Sequence, residues 1–249
     1  MSALVRSELL KIRTVRSFWA YLLVIVAFTA LAVVAQIGSA ESVERGSVDF
    51  QSDLVATAGI ALLLSVILGI TLVTTEFRFG TVTPTFLVAP KRELVLAAKA
   101  IAAIALAIGF ALLSLFVIAV IALPWLASVD AETNVLDGEI GSVAAQQILS
   151  AVLWALMGVA IGAIVQSQVA ALVGTLVWIF IGETLLIGAF GLLDLDGVSA
   201  YLPFQALDAA DGSGGGELLS YWPGVAVSLA WIAALGLAGT ERARRRDIT

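Results

Sequence analysis

The 249-residue chain contains no histidine, no cysteine and only three lysines. Without histidine, histidine-based catalytic triads, histidine-ligated haem and most zinc sites are excluded. Without cysteine, disulfides, thiol catalysis and iron–sulfur clusters are excluded. A phosphate-binding P-loop needs a Gly-Lys pair, and none of Lys11, Lys91 and Lys99 follows a glycine. We therefore expect no catalytic residue, no metal ligand and no nucleotide site in this chain.

Charge is also scarce, since charged residues make up 13% of the chain and hydrophobic residues 61%. The mean hydropathy is +1.07. Soluble domains contain about 45–50% apolar and about 25% charged residues, so a water-soluble fold cannot absorb this excess. We predict an all-α integral membrane protein that forms one transmembrane domain over residues 1–249.

Long uncharged runs mark the predicted membrane spans, each of which needs about 20 apolar residues. The longest run is divided at Gln166-Ser167-Gln168, which gives a total of six spans. The predicted transmembrane helices cover residues 18–37, 54–73, 100–126, 143–165, 169–193 and 218–239. A cytoplasmic loop at 74–99 and an extracellular loop at 194–217 are predicted between them.

The basic residues orient these spans. Assigning the connections to alternate sides puts 12 of the 13 basic residues on one side and 13 of the 19 acidic residues on the other. Because the basic side of a membrane protein faces the cytoplasm, we expect both termini to be cytoplasmic. The net charge of −6 then faces outward and indicates no nucleic-acid partner. A cleaved signal peptide would also begin with a basic segment, but the first apolar run is longer than usual for one.

Residues 1–16, before the first span, have amphipathic character. Val5, Leu9 and Ile12 share one helical face, and basic residues occupy much of the other. This pattern favours an interfacial elbow helix that lies along the membrane surface. Glu8 interrupts the apolar face, and a plain basic flank that sets topology is the alternative.

The loop between the second and third spans is longer than a connection requires. It has about 25 residues, carries both charge signs and keeps apolar residues, among them Phe86 and Leu87. The residues after Gly80 are compatible with a short helix that ends before Pro90. We expect this element to dock to a soluble partner, with Glu76 and Arg78 pairing with each other or with the elbow helix.

Several short motifs occur in the order found in one family. The stretch Glu76-x-Arg78-x-Gly80-Thr81, followed by Pro90-x-Arg92 and Lys99, is similar to the cytoplasmic loop of ABC-2 type transporter permeases. Four other motifs also resemble this family, and they are Ser7–Arg13, Gly158-x-x-x-Gly162 before Gln166-Ser167, Tyr201-Leu202-Pro203-Phe204 and the tail from Arg244 to Thr249.

The resemblance implies an exporter subunit with the ABC-2 type fold, in the cytoplasmic (inner) cell membrane. Such permeases pair with a second permease copy or a paralogue and bind two copies of a separate ATPase. ATP and magnesium bind to that partner, so this chain needs no cofactor and is not an enzyme. The substrate class stays open among drugs, peptides and lipids. The residues that the resemblance assigns to coupling with the ATPase are Glu8, Lys11, Glu76, Arg78, Gly80, Thr81, Phe86, Leu87, Pro90, Arg92, Gln166 and Gln168.

Glu183 is the one ionisable residue well inside a predicted span, about 21 Å from its start at 1.5 Å per residue. Because a charge there is costly, we expect it to face protein or a cavity. It contacts substrate or carries a proton, or it is a structural carboxyl bonded to a nearby Thr or Ser, or it marks a kink beside Gly182. Gly158 and Gly162 form a small-xxx-small pair that favours close helix packing.

Three other function classes are weighed against the exporter. A proton-coupled secondary carrier would use Glu183, but such carriers usually show internal repeats, and this sequence shows none. A twin-arginine-type translocation subunit also has six spans, yet the elaborate loop at 74–99 fits it less well. An intramembrane enzyme would need more catalytic groups than one carboxylate supplies.

Overall fold

The fold is a bundle of long helices, seen in a computed structural model that describes residues 2–40, 44–81, 92–129, 133, 137–212 and 219–245. Six helical segments in these ranges are long and apolar enough to cross a membrane. No strand occurs among the described residues. The chain is therefore an all-α, multi-pass membrane protein, as the hydrophobic runs predict.

Eleven α-helices follow one another along the described part of the chain. Their bounds are α1 Ser2–Thr14, α2 Arg16–Ser39, α3 Val48–Ala56, α4 Gly59–Arg78, α5 Arg92–Ser128, α6 Gly138–Val165, α7 Gln168–Val177, α8 Glu183–Leu192, α9 Asp196–Ser199, α10 Pro203–Ala209 and α11 Tyr221–Arg245. A π-helical turn at Trp178–Gly182 joins α7 to α8. The spans are α2, α3 with α4, α5, α6, α7 with α8, and α11. One end of the bundle carries α1 and is called the α1 end; the opposite end carries α10 and is called the α10 end.

Local sequence signals explain where several of these helices begin and end. The Ser47 side chain accepts a hydrogen bond from the Phe50 N–H at 3.2 Å and caps α3. The Asp137 carboxylate accepts one from the Glu139 N–H at 2.7 Å and caps α6. Gln166 takes a left-handed conformation, with φ of 57°, and ends α6. The long apolar run is thus divided at the polar triplet, because its backbone reverses there.

Two helices, α4 and α6, form the centre of the bundle. In the most apolar stretch of the spans that contain them, 56% and 61% of the residues are buried, far more than in the other four spans. Their backbones touch because Gly69 faces the Ala155 carbonyl and Gly158 faces the Val66 carbonyl, where a Cβ would collide. Gly162 lies one turn further along α6, and a Cβ added to it would be 3.1 Å from the Ile70 carbonyl oxygen. Small residues allow the two helices to approach this closely, and the resulting van der Waals contacts stabilise their association inside a membrane.

The helices at the α1 end extend beyond the uncharged runs. The second span continues through Glu76 to Arg78, whereas the sequence places 74–99 in a loop. The third span starts at Arg92, so Lys99 lies two turns inside a helix rather than at the end of a loop. The physical reason is that these charges find partners at the α1 end, which lets the helices continue past the apolar residues.

The predicted extracellular loop, 194–217, contains α9 and α10. Helix α10 packs on α6 and α11, and its side chains Phe204, Ala206 and Leu207 are at most 3% exposed. The Ser150 hydroxyl of α6 donates to the Ala210 carbonyl, and the Gln147 amide donates to the Asp211 carbonyl at 3.2 Å. These bonds satisfy a backbone that returns into the bundle, as membrane burial requires.

Replacing Gly158 with alanine is expected to weaken the bundle, since the added methyl meets the backbone of α4. The cost is about 1–3 kcal/mol, typical of overpacking. The matched control is Gly109→Ala in α5, where a Cβ meets nothing within 4 Å. Thermal unfolding of the purified protein in detergent measures both. Equal midpoints for the two variants would show that α4 and α6 do not touch at Gly158.

Candidate functional site

Four charged side chains from three helices meet at the α1 end, and we call them the ionic cluster: Glu8, Lys11, Glu76 and Lys99. Lys99 Nζ lies 2.8 Å from Glu8 Oε2 and 2.9 Å from Glu76 Oε1. Lys11 Nζ lies 2.7 Å from Glu8 Oε1 and 2.9 Å from Glu76 Oε1. Each ammonium group therefore contacts both carboxylates, and the formal charges of the four groups cancel.

Lys99 is the buried centre of the ionic cluster. It is 3% exposed, and it also donates to the Leu72 carbonyl of α4 at 3.0 Å. The ammonium group thus donates hydrogen bonds to Glu8 and to the Leu72 carbonyl and forms an ion pair with Glu76. Because a buried charge is tolerated only with such partners, Lys99 fixes the relative positions of α1, α4 and α5.

The electrostatics of the two α1 residues reflect this arrangement. Burial alone would raise the pKa of the Glu8 carboxyl, but Lys99 and Lys11 hold that pKa below its usual value. Burial alone would lower the pKa of Lys11, but hydrogen bonds to Glu8 and Glu76 raise it above its usual value. Both groups are therefore charged at neutral pH, and the cluster keeps its full set of attractions there.

Helix α1 is attached to the bundle at two further points. One residue, Val15, separates it from α2, and the Val15 N–H donates to the Ile12 carbonyl at 3.1 Å. The Ile12 side chain packs against the buried core. A displacement of α1 is thus passed to the first span through the chain and to the second and third spans through the ionic cluster.

A cleft of about 270 Å³ opens beside the ionic cluster, between α1, α4 and the start of α7. Arg78 lies on its rim and donates from Nη1 to Gln168 Oε1 at 3.2 Å. Its guanidinium also lies 5.5 Å from the ring centre of Phe79. The sequence predicts that Glu76 and Arg78 pair with each other or with the elbow helix. Glu76 does pair with Lys11 of α1, but Arg78 does not, because the exposed end of α4 directs it to Gln168 of the fifth span.

The structure brings together only part of the predicted coupling set. Glu8, Lys11 and Glu76 form the ionic cluster, and Arg78 and Gln168 border the cleft next to it. Gly80 has φ of 67° and ends the second span with Thr81, whose N–H donates to the Glu76 carbonyl at 2.9 Å. The remaining members are Gln166, which ends α6, Arg92, of which only the backbone is described, and Phe86, Leu87 and Pro90, which lie outside the described residues.

Lys99 belongs to the motif that resembles the permease loop, but it is absent from the predicted coupling set. The sequence treats it as one more basic residue at the edge of a loop. Its signal was available, because it directly precedes a run of 30 residues without charge. A lysine that begins such a run lies inside the helix and needs a partner from another segment.

Glu183 lies at the α10 end, where it is 1% exposed and follows the π-helical turn. Its Oε1 accepts from the Phe204 N–H at 2.8 Å and from the Trp178 indole at 3.1 Å, and its Oε2 accepts from the Gln205 N–H at 3.1 Å. Glu183 thus faces protein, as expected. Its partners are an indole and the first N–H groups of α10, not the Thr or Ser that the structural alternative named.

Asp208 of α10 lies near two other acidic groups. Burial, then the charges of Asp211 and Glu183, raise the pKa of Asp208 to about 7 from an ordinary 3.8. The folded state therefore takes up a proton near neutral pH. No group of three acidic side chains close enough to hold a metal ion is found in the described part of the chain.

Replacing Lys99 with methionine should lower the free energy of unfolding by about 3 kcal/mol, the cost of leaving buried carboxylates without a partner. The control is Arg13→Met, because Arg13 is exposed on the same α1 that the cluster holds. Chemical unfolding in detergent micelles measures both. A Lys99→Met protein as stable as the Arg13→Met protein would show that Lys99 holds nothing together.

Stability is expected to fall as pH rises from 3.8 to about 7, because folding then holds a proton on Asp208 that the unfolded chain has lost. Asp208→Asn removes this loss, so its midpoint at pH 8 should exceed that of the unmodified protein by a few degrees and should match it at pH 4. The exposed Asp53→Asn change is the control. If the unfolding midpoint of Asp208→Asn depends on pH as that of the unmodified protein does, the group that titrates is not Asp208.

Comparison with models of known protein families gives no match for this chain. Comparison with curated proteins gives no match either. The function must therefore be argued from the geometry of the ionic cluster and from the sequence.

Proposed function

We propose that the chain is the permease subunit of an ATP-binding-cassette exporter of the ABC-2 type. It moves an apolar or amphipathic substrate, a drug, a peptide or a lipid, outward across the cytoplasmic membrane. A separate ATPase, in two copies, binds ATP and magnesium and powers the movement. A second permease, either a copy or a paralogue, completes the assembly.

The observation that carries this proposal is the ionic cluster. A permease without its own nucleotide site has to receive motion from a soluble partner, and it needs stiff parts on the partner's side. Contacts between fixed charges in a buried setting resist separation more than exposed pairs do. Glu8, Glu76 and Lys99 make α1, α4 and α5 move as one body, so a push on any of them reaches three spans.

The ends of α4 and α5 are well placed to receive that push through the segment between them. This segment joins Arg78 to Arg92, the ends of the two spans that the ionic cluster clamps. On the other side, the hydrogen bond from Arg78 to Gln168 connects the second span to the fifth. A rigid displacement delivered here is therefore shared by helices that line different sides of the bundle.

The charge distribution supports a cytoplasmic position for the α1 end. Of the 13 basic residues, 12 belong to segments that this topology assigns to that side. An ATPase in the cytoplasm would meet α1 and the segment from 79 to 91. The sequence has no Gly-Lys pair for a P-loop, which is consistent with ATP binding to the partner.

The contacts of Glu183 favour the exporter over the proton-coupled carrier. Both of its carboxylate oxygens accept hydrogen bonds from N–H groups of Trp178, Phe204 and Gln205. A proton carrier needs a carboxylate that can release these partners in each cycle, whereas a structural carboxylate keeps them. No contact in the described residues supports the twin-arginine-type alternative.

The test is affinity purification of the chain from the membranes of its own cells, which should recover a soluble P-loop ATPase. Replacing Phe86 and Leu87 with aspartate should lower its recovery about tenfold or more, because a few apolar anchors carry most interface energy. The matched control is Val198→Asp with Tyr201→Asp, an exposed apolar pair at the α10 end. That variant should recover the ATPase as the unmodified chain does.

Two results would contradict the proposal. One is purification of an active transporter with no P-loop protein attached. The other is failure of the unmodified chain to recover any soluble P-loop ATPase from these membranes.

A further inference from the structure

A cavity of about 490 Å³ lies between the fourth, fifth and sixth spans, away from the ionic cluster. Its wall contains side chains from α6, α7 and α11, and its far end is formed by Leu202, Pro203 and Phe204. The volume is within the range of about 300–1,000 Å³ that small-molecule sites occupy. It is large enough to be a site and not a packing defect.

The chemistry of the wall is almost entirely apolar. Among the described residues that line this cavity none is charged, and Thr175 is the one that carries a hydroxyl. The two indoles in the wall use their N–H groups elsewhere, since Trp178 donates to Glu183 at 3.1 Å and Trp231 donates to the Tyr201 carbonyl at 3.0 Å. A ligand with polar groups would lose its hydrogen bonds here, so the occupant is apolar.

The cavity is elongated along the helices. Its wall includes Ala170 near the start of the fifth span and Leu186 near the end of that span. At 1.5 Å per residue these positions are about 24 Å apart, which is most of the roughly 30 Å hydrocarbon thickness. An apolar site of this length fits a single extended alkyl chain better than a compact ring system.

The cavity also opens sideways at membrane depth. Trp178 is 40% exposed and Trp231 is 37% exposed, and these two side chains stand on the fifth and sixth spans at the edge of the cavity. In a multi-pass membrane protein the medium at this depth is lipid hydrocarbon. The opening is therefore toward acyl chains and not toward water.

The end wall is held in place by Glu183. The carboxylate accepts from the backbone N–H groups of Phe204 and Gln205, and Phe204 itself lines the cavity. The same carboxylate holds the Trp178 indole in the side wall. One buried residue thus positions both the side wall and the end wall of the cavity. The end wall, Leu202–Phe204, is called the lid below.

We propose that this cavity binds one acyl chain of a bilayer phospholipid, which enters between the fifth and sixth spans. The segment Leu202–Phe204, fixed by Glu183, closes the end of the site. The site stands whether or not the chain is an exporter subunit, because it depends only on the apolar cavity and its lid.

The experiment uses the full chain in vesicles of phosphatidylcholine that carries a diazirine on one acyl chain. Photolabelled positions are then identified by mass spectrometry. Gly174→Leu fills the cavity without a collision, because a Cβ on Gly174 meets nothing within 4 Å. The control Gly188→Leu adds the same side chain to the same span, where a Cβ also meets nothing within 4 Å, outside the cavity wall.

The expected result is labelling of Met157 and Thr175 that falls about tenfold in Gly174→Leu and is unchanged in Gly188→Leu. Labelling of the exposed Phe116 on α5 should be the same in all three proteins. Labelling of Met157 and Thr175 that Gly174→Leu does not reduce overturns the proposal. Photoreactive groups placed at position 174 that join two copies of the chain also overturn it, since a second copy would then fill the opening.

A second variant tests the lid. Glu183→Leu removes the acceptor for two N–H groups, so hydrogen exchange at Phe204 and Gln205 should accelerate about tenfold or more while exchange in α4 is unchanged. Unchanged exchange at these two residues overturns the role of Glu183 in closing the site. Should Glu183→Leu fail to fold, Glu183→Gln keeps one acceptor and should show the same change to a smaller degree.

Discussion

One buried ammonium group, that of Lys99, fixes how the helices are arranged at the α1 end of this protein. Lys99 is 3% exposed, and its charge is acceptable only because Glu8, Glu76 and the Leu72 carbonyl surround it. Removing any one of them leaves a charge or a polar atom without a partner in an apolar setting. The interfacial helix α1 consequently has a fixed place on the bundle, and the ends of the second and third spans are fixed with it.

The α10 end also contains a buried charge that needs partners, but there the charge is negative. Glu183 is buried, and N–H groups from Trp178, Phe204 and Gln205 compensate its carboxylate. Between the two ends, backbone contact of α4 with α6 through Gly69 and Gly158 keeps the centre tight. The bundle thus has two polar fixing points joined by a rigid central pair, and an apolar cavity lies on one side.

Composition and run length were sufficient to predict the class of the fold and the number of spans. Apolar runs near 20 residues have few alternatives to membrane spans, so six helices could be read directly. The break at Gln166 was also readable, because three polar residues interrupt an otherwise apolar run. The burial of Glu183 in protein followed from the cost of a charge at that depth.

The ends of the helices and the partners of the charges could not be predicted in the same way. Arg78 and Lys99 lie outside the uncharged runs, and the groups that partner them are distant in sequence. Gln168 is 90 residues from Arg78, and Glu8 is 91 from Lys99. The local sequence pattern carries no information on such pairs. For the same reason it does not predict that α10 packs on α6 and α11.

The most direct measurement of this account is a double-mutant cycle between Glu8 and Lys99. Unfolding free energies would be measured in detergent for Glu8→Gln, Lys99→Met and the double variant. If the cluster acts as one unit, the double variant loses less than the sum of the single losses, by about 2 kcal/mol or more. Additive losses would contradict the account, because α1 would then be held by something other than the charge on Lys99.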